Sequence, residues 1–129
     1  NTRNAFFLAG ATSPHLKATQ GQIITTSSIA GLGAQGSSLP YCVSKAALIH
    51  LTKCLSVALA PDVRVNSVAP GLLMTRWVAG FSEDRLDSGK SNALLKKHPE
   101  VPDVAGAFVM LAKNTSITGQ VIVVDAGLL

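Results

Sequence analysis

The apolar positions of this chain fall into short blocks whose period alternates between that of a helix and that of a strand. Residues 4–18 carry Phe6, Phe7, Leu8 and Leu16 in an incomplete amphipathic pattern, which predicts a helix kinked or ended by Pro14. After Gly21, the run QIITTSS at 22–28 is rich in β-branched residues and predicts a strand ending at Ser27 or Ser28. The small residues of 30–38 form a loop. Ser37 or Ser38 can cap a helix over 40–60, with Pro40 tolerated in its first turn. Its apolar residues (Val43, Ala46, Ala47, Leu51, Leu55, Val57 and Leu59) lie nearly all round, so much of it is expected to be buried.

Pro61 and Asp62 stop that helix, and VRVNSVA at 63–69 predicts a continuous apolar strand closed by Pro70-Gly71. A polar stretch over 72–100 reads as a loop with short helices; loops of that length in a compact domain are usually functional, a lid over a site being one example. Asp103 can cap a helix at 104–113, and QVIVVDA at 120–126 makes a last strand. Helices alternating with near-continuous apolar strands predict parallel βαβ units. The expected fold is α/β: a partial Rossmann-like, doubly wound parallel sheet of three strands and about three main helices, in one domain over 1–129.

Composition narrows the function classes. The chain has 129 residues, is 47% apolar and only 14% charged, enough apolar material to bury a core. The net charge of +4 comes from scattered basic residues, and aromatics are 5%, which argues against a nucleic-acid stripe. No run approaches the roughly 18 apolar residues of a membrane span, and no signal peptide is legible. Cys42 and Cys54, on one predicted helix, would stand about 18 Å apart, so they are expected to be buried free thiols in a reducing, cytoplasmic setting. His15, His50 and His98 are isolated, and no metal site is expected. The chain opens on Asn1 rather than Met, from which a start inside a larger gene product is expected.

Gly31, Gly33 and Gly36 spell the GxGxxG of dinucleotide-binding turns, but the predicted helix starts only after Ser37-Ser38-Leu39. The next acid, Asp62, precedes the following strand instead of ending it. The glycines are therefore read as a flexible pocket wall. A serine hydrolase centred on Ser28 is likewise unsupported, since Ser28 lacks the Gly-x-Ser-x-Gly elbow.

Tyr41 and Lys45 are four apart and share a helix face. An ammonium beside a phenol, at the positive end of a helix dipole, favours the phenolate and so makes an acid/base nearer neutral pH. Alone, such a pair is common by chance. Ser28, however, ends a parallel strand at the carboxyl edge where ligands of such sheets bind.

With these residues assembled, the chain resembles the short-chain dehydrogenase/reductases. The resemblance rests on TTSSIAG (25–31), YCVSKAAL (41–48), RVNSVAPGLLMT (64–75), PDVAGAFVMLA (102–112) and ITGQVIVVDAG (117–127), in the family's order and spacing. It implies that Ser28 hydrogen-bonds the substrate oxygen, that Tyr41 transfers its proton, and that Lys45 lowers the tyrosine pKa and holds the nicotinamide ribose. Asn1 falls where the family has an asparagine of a proton relay. Pro70, Gly71, Leu73 and Thr75 match the segment lining nicotinamide and pyrophosphate, with Leu73 in place of a β-branched residue. Ala126 stands where glycine is usual, expected to affect packing only. Trp77, Val78 and Phe81 are candidates for an apolar substrate wall, and Asn66 for structural support.

The resemblance implies NAD or NADP as cofactor, a small carbonyl/alcohol substrate, no nucleic-acid or membrane partner, and homo-oligomers through helices 4–18 and 40–60. The family's N-terminal βαβαβ half is absent, and with it the residues that choose between NAD and NADP. The expected activity is hydride transfer between a nicotinamide and a carbonyl/alcohol pair. The alternative is a truncated, non-catalytic product that keeps only an association surface.

Overall fold

The computed structural model describes residues 1–129. Its elements run α1 (Thr2–Ala18), β1 (Gln22–Thr26), α2 (Leu39–Ala58), β2 (Arg64–Pro70), α3 (Glu83–Asn92), α4 (Val101–Lys113) and β3 (Val121–Val124), with short 3-10 turns at Ile29–Gly31 and Arg76–Val78. The three strands form one parallel sheet in the order β1-β2-β3. This is the expected α/β fold with three strands. Its three main helices are α1, α2 and α4, and the shorter α3 lies in the 72–100 stretch, where short helices are expected. No helix is long and apolar enough to cross a membrane.

Side-chain alternation along the strands feeds two apolar clusters, one on each face of the sheet. On one face Leu59, Val63 and Val65 pack with Leu16, Ile23 and Leu55, from α1, β1 and α2. On the other, Val68, Val104 and Leu111 pack with Ile24, Phe108 and Ile122, under α4. Strand β2 is central and buried along nearly its whole length, as a strand covered on both faces must be.

Several local expectations change. Pro14 neither ends nor breaks α1. Proline cannot donate to the Gly10 carbonyl, but the Ser13 hydroxyl does so at 3.0 Å, and Gly10 offers no side chain to crowd the turn. Strand β1 stops at Thr26, so Ser28 lies two residues beyond it, capping the 3-10 turn. Strand β2 runs on to Pro70, whose missing N–H is tolerated at a strand end. Helix α4 starts earlier than expected, with Glu100 at the N-cap position and Pro102 in the first turn, so Asp103 sits inside the helix rather than capping it.

Helix α2 is the larger correction. Only Leu48, Ile49, Thr52 and Ser56 are buried along it, while Val43, Ala46, Ala47 and Val57 face outward. One side packs on β2 and reaches β1, where the Thr52 hydroxyl pairs with Thr25 at 2.9 Å; α1 and the turn after β1 touch the helix too, yet the four outward residues stay exposed. The cysteines follow: Cys54 is exposed and Cys42 half-buried, so neither is a fully buried thiol.

Candidate active site

The carboxyl ends of β1 and β2 open onto a cleft of about 1030 Å³, large enough for a small ligand. Asn1, Ser28, Tyr41, Lys45, Pro70, Gly71, Leu73 and Thr75 all line it. Segments from four parts of the chain therefore converge on one place. Val78 does not contribute; it is buried inward, whereas Trp77 and Phe81 reach the cleft wall.

The local chemistry explains each placement. Ser38 caps α2, its hydroxyl accepting the Tyr41 N–H at 3.3 Å, and so fixes Tyr41 in the first helical turn. Lys45 follows one turn later, its ammonium 5.6 Å from the centre of the Tyr41 ring. That ammonium donates to the main-chain carbonyl of Thr26 at 2.7 Å, and burial lowers the Lys45 pKa below its ordinary 10.5. Ser28 is extended, and its hydroxyl accepts the Ala30 N–H at 3.2 Å while remaining able to donate. Asn1 precedes α1 and donates from its side chain to the Ser44 hydroxyl at 3.0 Å; Ser44 in turn donates to the Tyr41 carbonyl at 2.8 Å. Asn1 thus joins the first turn of α2 rather than standing apart.

Gly31 is not a flexible wall. A Cβ there would lie 2.5 Å from the Lys45 carbonyl carbon and 2.7 Å from the Ala46 nitrogen. Its role is a close approach of the turn after β1 to the helix that carries Tyr41 and Lys45. Gly36 likewise sits against Cys42 and Ala30. Only Gly33 and Gly36 of the three border the cleft. No helix begins within the triplet, so the dinucleotide fingerprint is absent, as the spacing indicated.

On the β2 side, Gly71 passes so close to Asp125 that a Cβ would meet its backbone at 2.9 Å. The amides of Leu72 and Leu73 have no protein partner and border the cleft, so main-chain donors are available there for an anionic or hydroxyl-bearing ligand. Thr75 caps the next turn through the Trp77 N–H at 3.3 Å. This puts Trp77 within 6.2 Å of Tyr41, ring centre to ring centre. Arg85 stacks on Phe81 at 3.9 Å and also borders the cleft. The cleft wall is therefore aromatic and basic on this side.

Sequence reasoning missed Asp125. Its carboxylate accepts the amides of Gly127 (2.8 Å), Leu128 (3.1 Å) and Leu129 (2.9 Å), folding the last residues onto the cleft. The Asp-x-Gly spelling at 125–127 is the available signal, since Asp side chains bond their own backbone two residues on. The same turn holds Ala126 at φ +60°, so glycine's usual place there is a matter of backbone conformation and not of packing alone.

The sequence profile described as enoyl-(acyl carrier protein) reductase matches residues 1–129. The chain is 44% identical over 126 residues to the short-chain dehydrogenase/reductase homolog YusR of Bacillus subtilis, covering 97% of both chains. The chain belongs to the short-chain dehydrogenase/reductase family. It is also 34% identical to meso-2,3-butanediol dehydrogenase of Serratia marcescens, over 88% of this chain but 47% of that one. A small-chain dehydrogenase solved in complex with NADPH superposes with a TM-score of 0.82 at 31% identity, over 93% of this chain and 56% of the other. Apart from the Bacillus protein, the chain spans about half the length of the curated relatives it matches. Those relatives include dehydrogenases by name, and this chain's fold corresponds to roughly half of the dehydrogenase solved with NADPH.

Proposed function

We propose that this chain carries the proton-transfer half of an NAD(P)-dependent oxidoreductase acting on a carbonyl/alcohol substrate. The observation that supports it is the convergence of Ser28, Tyr41, Lys45 and Asn1 with the Pro70–Thr75 backbone on one cleft. The nicotinamide, when bound, supplies or accepts the hydride. Lys45 would hold its ribose hydroxyls, and the free amides beside Leu73 together with Thr75 would hold its amide and phosphate groups. Ser28 donates its free hydroxyl hydrogen to the substrate oxygen and orients it. Tyr41 gives a proton to that oxygen on reduction and takes it on oxidation. Lys45 keeps positive charge beside the phenol, and Asn1, through Ser44, holds the first turn of α2 in place. Trp77 and Phe81 form the apolar wall facing the substrate. The setting is cytoplasmic.

The test is Tyr41→Phe in the double-length protein that joins this half to a cofactor-binding half. Turnover should fall below a few per cent while nicotinamide binding is kept; activity above that level removes Tyr41 as the acid/base. Lys45→Ala should weaken both binding and rate.

A second reading, an association module without turnover, rests on a different observation. Phe6, Phe7 and Leu8 on α1, and Leu39, Val43 and Val57 on α2, are exposed. These faces are where homo-oligomers would form. A chain of 129 residues that self-associates, yet leaves nicotinamide fluorescence unchanged at millimolar cofactor, favours this reading for the chain alone.

A further inference from the structure

Helix α3 turns one polar side to the cleft. Arg85, Ser88, Gly89 and Asn92 recur at the spacing of a single helix face, and all four line the cavity. Glu83 and Asp87 fall on the opposite side of the helix, and no aspartate or glutamate lines the cleft anywhere. Gly89 sets how closely this face approaches. A Cβ there would stand 3.2 Å from the Leu72 side chain and 3.3 Å from the His98 ring. Helix α3 is therefore seated against the segment that leaves β2.

Two groups on this face are free donors. The main-chain N–H of Arg85 caps the helix through Ser82, but its guanidinium finds no acceptor in the chain. It lies 3.9 Å from the centre of the Phe81 ring, which holds the planar group and leaves its N–H edge open. The Ser88 hydroxyl accepts the Asn92 side-chain amide at 3.1 Å, so its own hydrogen is available.

Lys45 is the other cation of the cleft, and it already donates to the Thr26 carbonyl beside Tyr41. Arg85 is thus a cation with no counter-charge, on a wall that also carries Trp77, 6.2 Å from Tyr41, and Phe81. A guanidinium fork meets a carboxylate through two parallel hydrogen bonds, and here no acid of the wall competes for it.

We propose that Arg85, with the Ser88 hydroxyl, binds a carboxylate of the substrate, so that the cleft takes an oxo acid or the corresponding hydroxy acid with its carbon chain along Trp77 and Phe81. This rests on the proposed function, which supplies the carbonyl/alcohol chemistry at Tyr41. The diphosphate of the nicotinamide is the other anion in question, and the unpartnered amides of Leu72 and Leu73 are the donors proposed for it.

Trp77 is the single tryptophan of the chain and borders the cleft, so its fluorescence reports binding. The 129-residue chain is titrated with pyruvate and with levulinate, each against its methyl ester, and separately with pyrophosphate. At least one acid should bind about tenfold more tightly than its ester, although the ester is the more apolar ligand. Arg85→Met keeps an apolar stem on Phe81 and should erase that preference while leaving the ester's affinity unchanged. The proposal is overturned if neither acid is preferred or if the preference survives Arg85→Met. It is also overturned if Arg85→Met weakens pyrophosphate as much as the acid, since Arg85 then serves the cofactor. Should Arg85→Met unfold the chain, as circular dichroism would show, Ser88→Ala decides by lowering the preference about threefold or leaving it intact. These ratios are read without turnover, whereas Tyr41→Phe tests turnover, so the carboxylate site and the oxidoreductase reading fail separately.

Discussion

Lys45 of α2 reaches the end of β1 and donates its ammonium to the Thr26 carbonyl at 2.7 Å. The contact ties the helix bearing Tyr41 to the strand that leads to Ser28, so the two residues proposed for proton transfer are held by one side chain. It also places a positive charge in a partly buried position, which lowers the Lys45 pKa. With the folded-state value lowered, the unfolded chain binds more protons between that value and 10.5. Stability from this group therefore rises as pH rises through the lowered pKa, and is lost as pH falls back through it. In urea unfolding at pH 7 and pH 10, the native chain should gain on Lys45→Met over that interval. A constant difference between the two proteins at both pH values would contradict the assignment.

Gly31 sets the distance between the turn after β1 and α2, since a Cβ there meets backbone atoms that cannot step aside. Gly31→Ala should destabilise by roughly 2–3 kcal/mol, in the range of overpacking costs, and displace Tyr41 and Lys45 together. Gly106, inside α4 with nothing within 4 Å, is the matched control. Gly106→Ala should stabilise by about 0.5–1 kcal/mol through helix propensity. Chemical denaturation of both variants gives the comparison directly.

The contrast shows which features a sequence exposes. Period and β-branching located all three strands to within a few residues, because a parallel strand buried on both faces must be a continuous apolar run. Spacing on one helix placed Tyr41 beside Lys45, which is local geometry. What stayed hidden depends on distant partners. The exposure of Val43 and Val57 follows from which side of α2 meets β2, and the survival of α1 past Pro14 from one serine hydroxyl. Apolar residues all round a helix cannot distinguish a buried helix from one awaiting a partner. Asp125 escaped for the same reason: its three amides matter only once the turn is folded.

Asn66 sits in the central strand, wholly buried, and clamps the approach to β3. Its side chain donates to the Ile117 carbonyl at 2.8 Å and accepts the Gln120 N–H at 3.0 Å. These contacts are the structural support that the sequence pattern suggests for it. Asn66→Ala removes both bonds at once and leaves a part-buried carbonyl and amide without their partner. The expected loss is about 2–4 kcal/mol. Equilibrium unfolding measures it, and a loss under about 1 kcal/mol would mean that water replaces the side chain.

Ala126 offers the opposite sign. It stands at φ +60°, between Asp125 and Gly127, in a region where an L side chain costs roughly 1–2 kcal/mol. Its own carbonyl accepts the Leu95 N–H at 3.0 Å, and the Gly127 carbonyl accepts that of Leu94 at 3.0 Å. The turn is therefore pinned from the lid side as well as by Asp125, and Ala126 cannot rotate to an easier conformation without breaking those bonds. Ala126→Gly removes the Cβ clash but adds freedom to the unfolded chain, an opposing effect of about 0.5–1 kcal/mol. The balance should leave the variant more stable by up to about 1 kcal/mol, read as a higher urea midpoint at unchanged slope. Gly127→Ala is the counterpart. At φ +78°, with a Cβ only 2.8 Å from that of Leu94, it should lose stability and loosen the lid. If both variants shifted the midpoint in the same direction, the left-handed turn would not be what holds this end of the cleft.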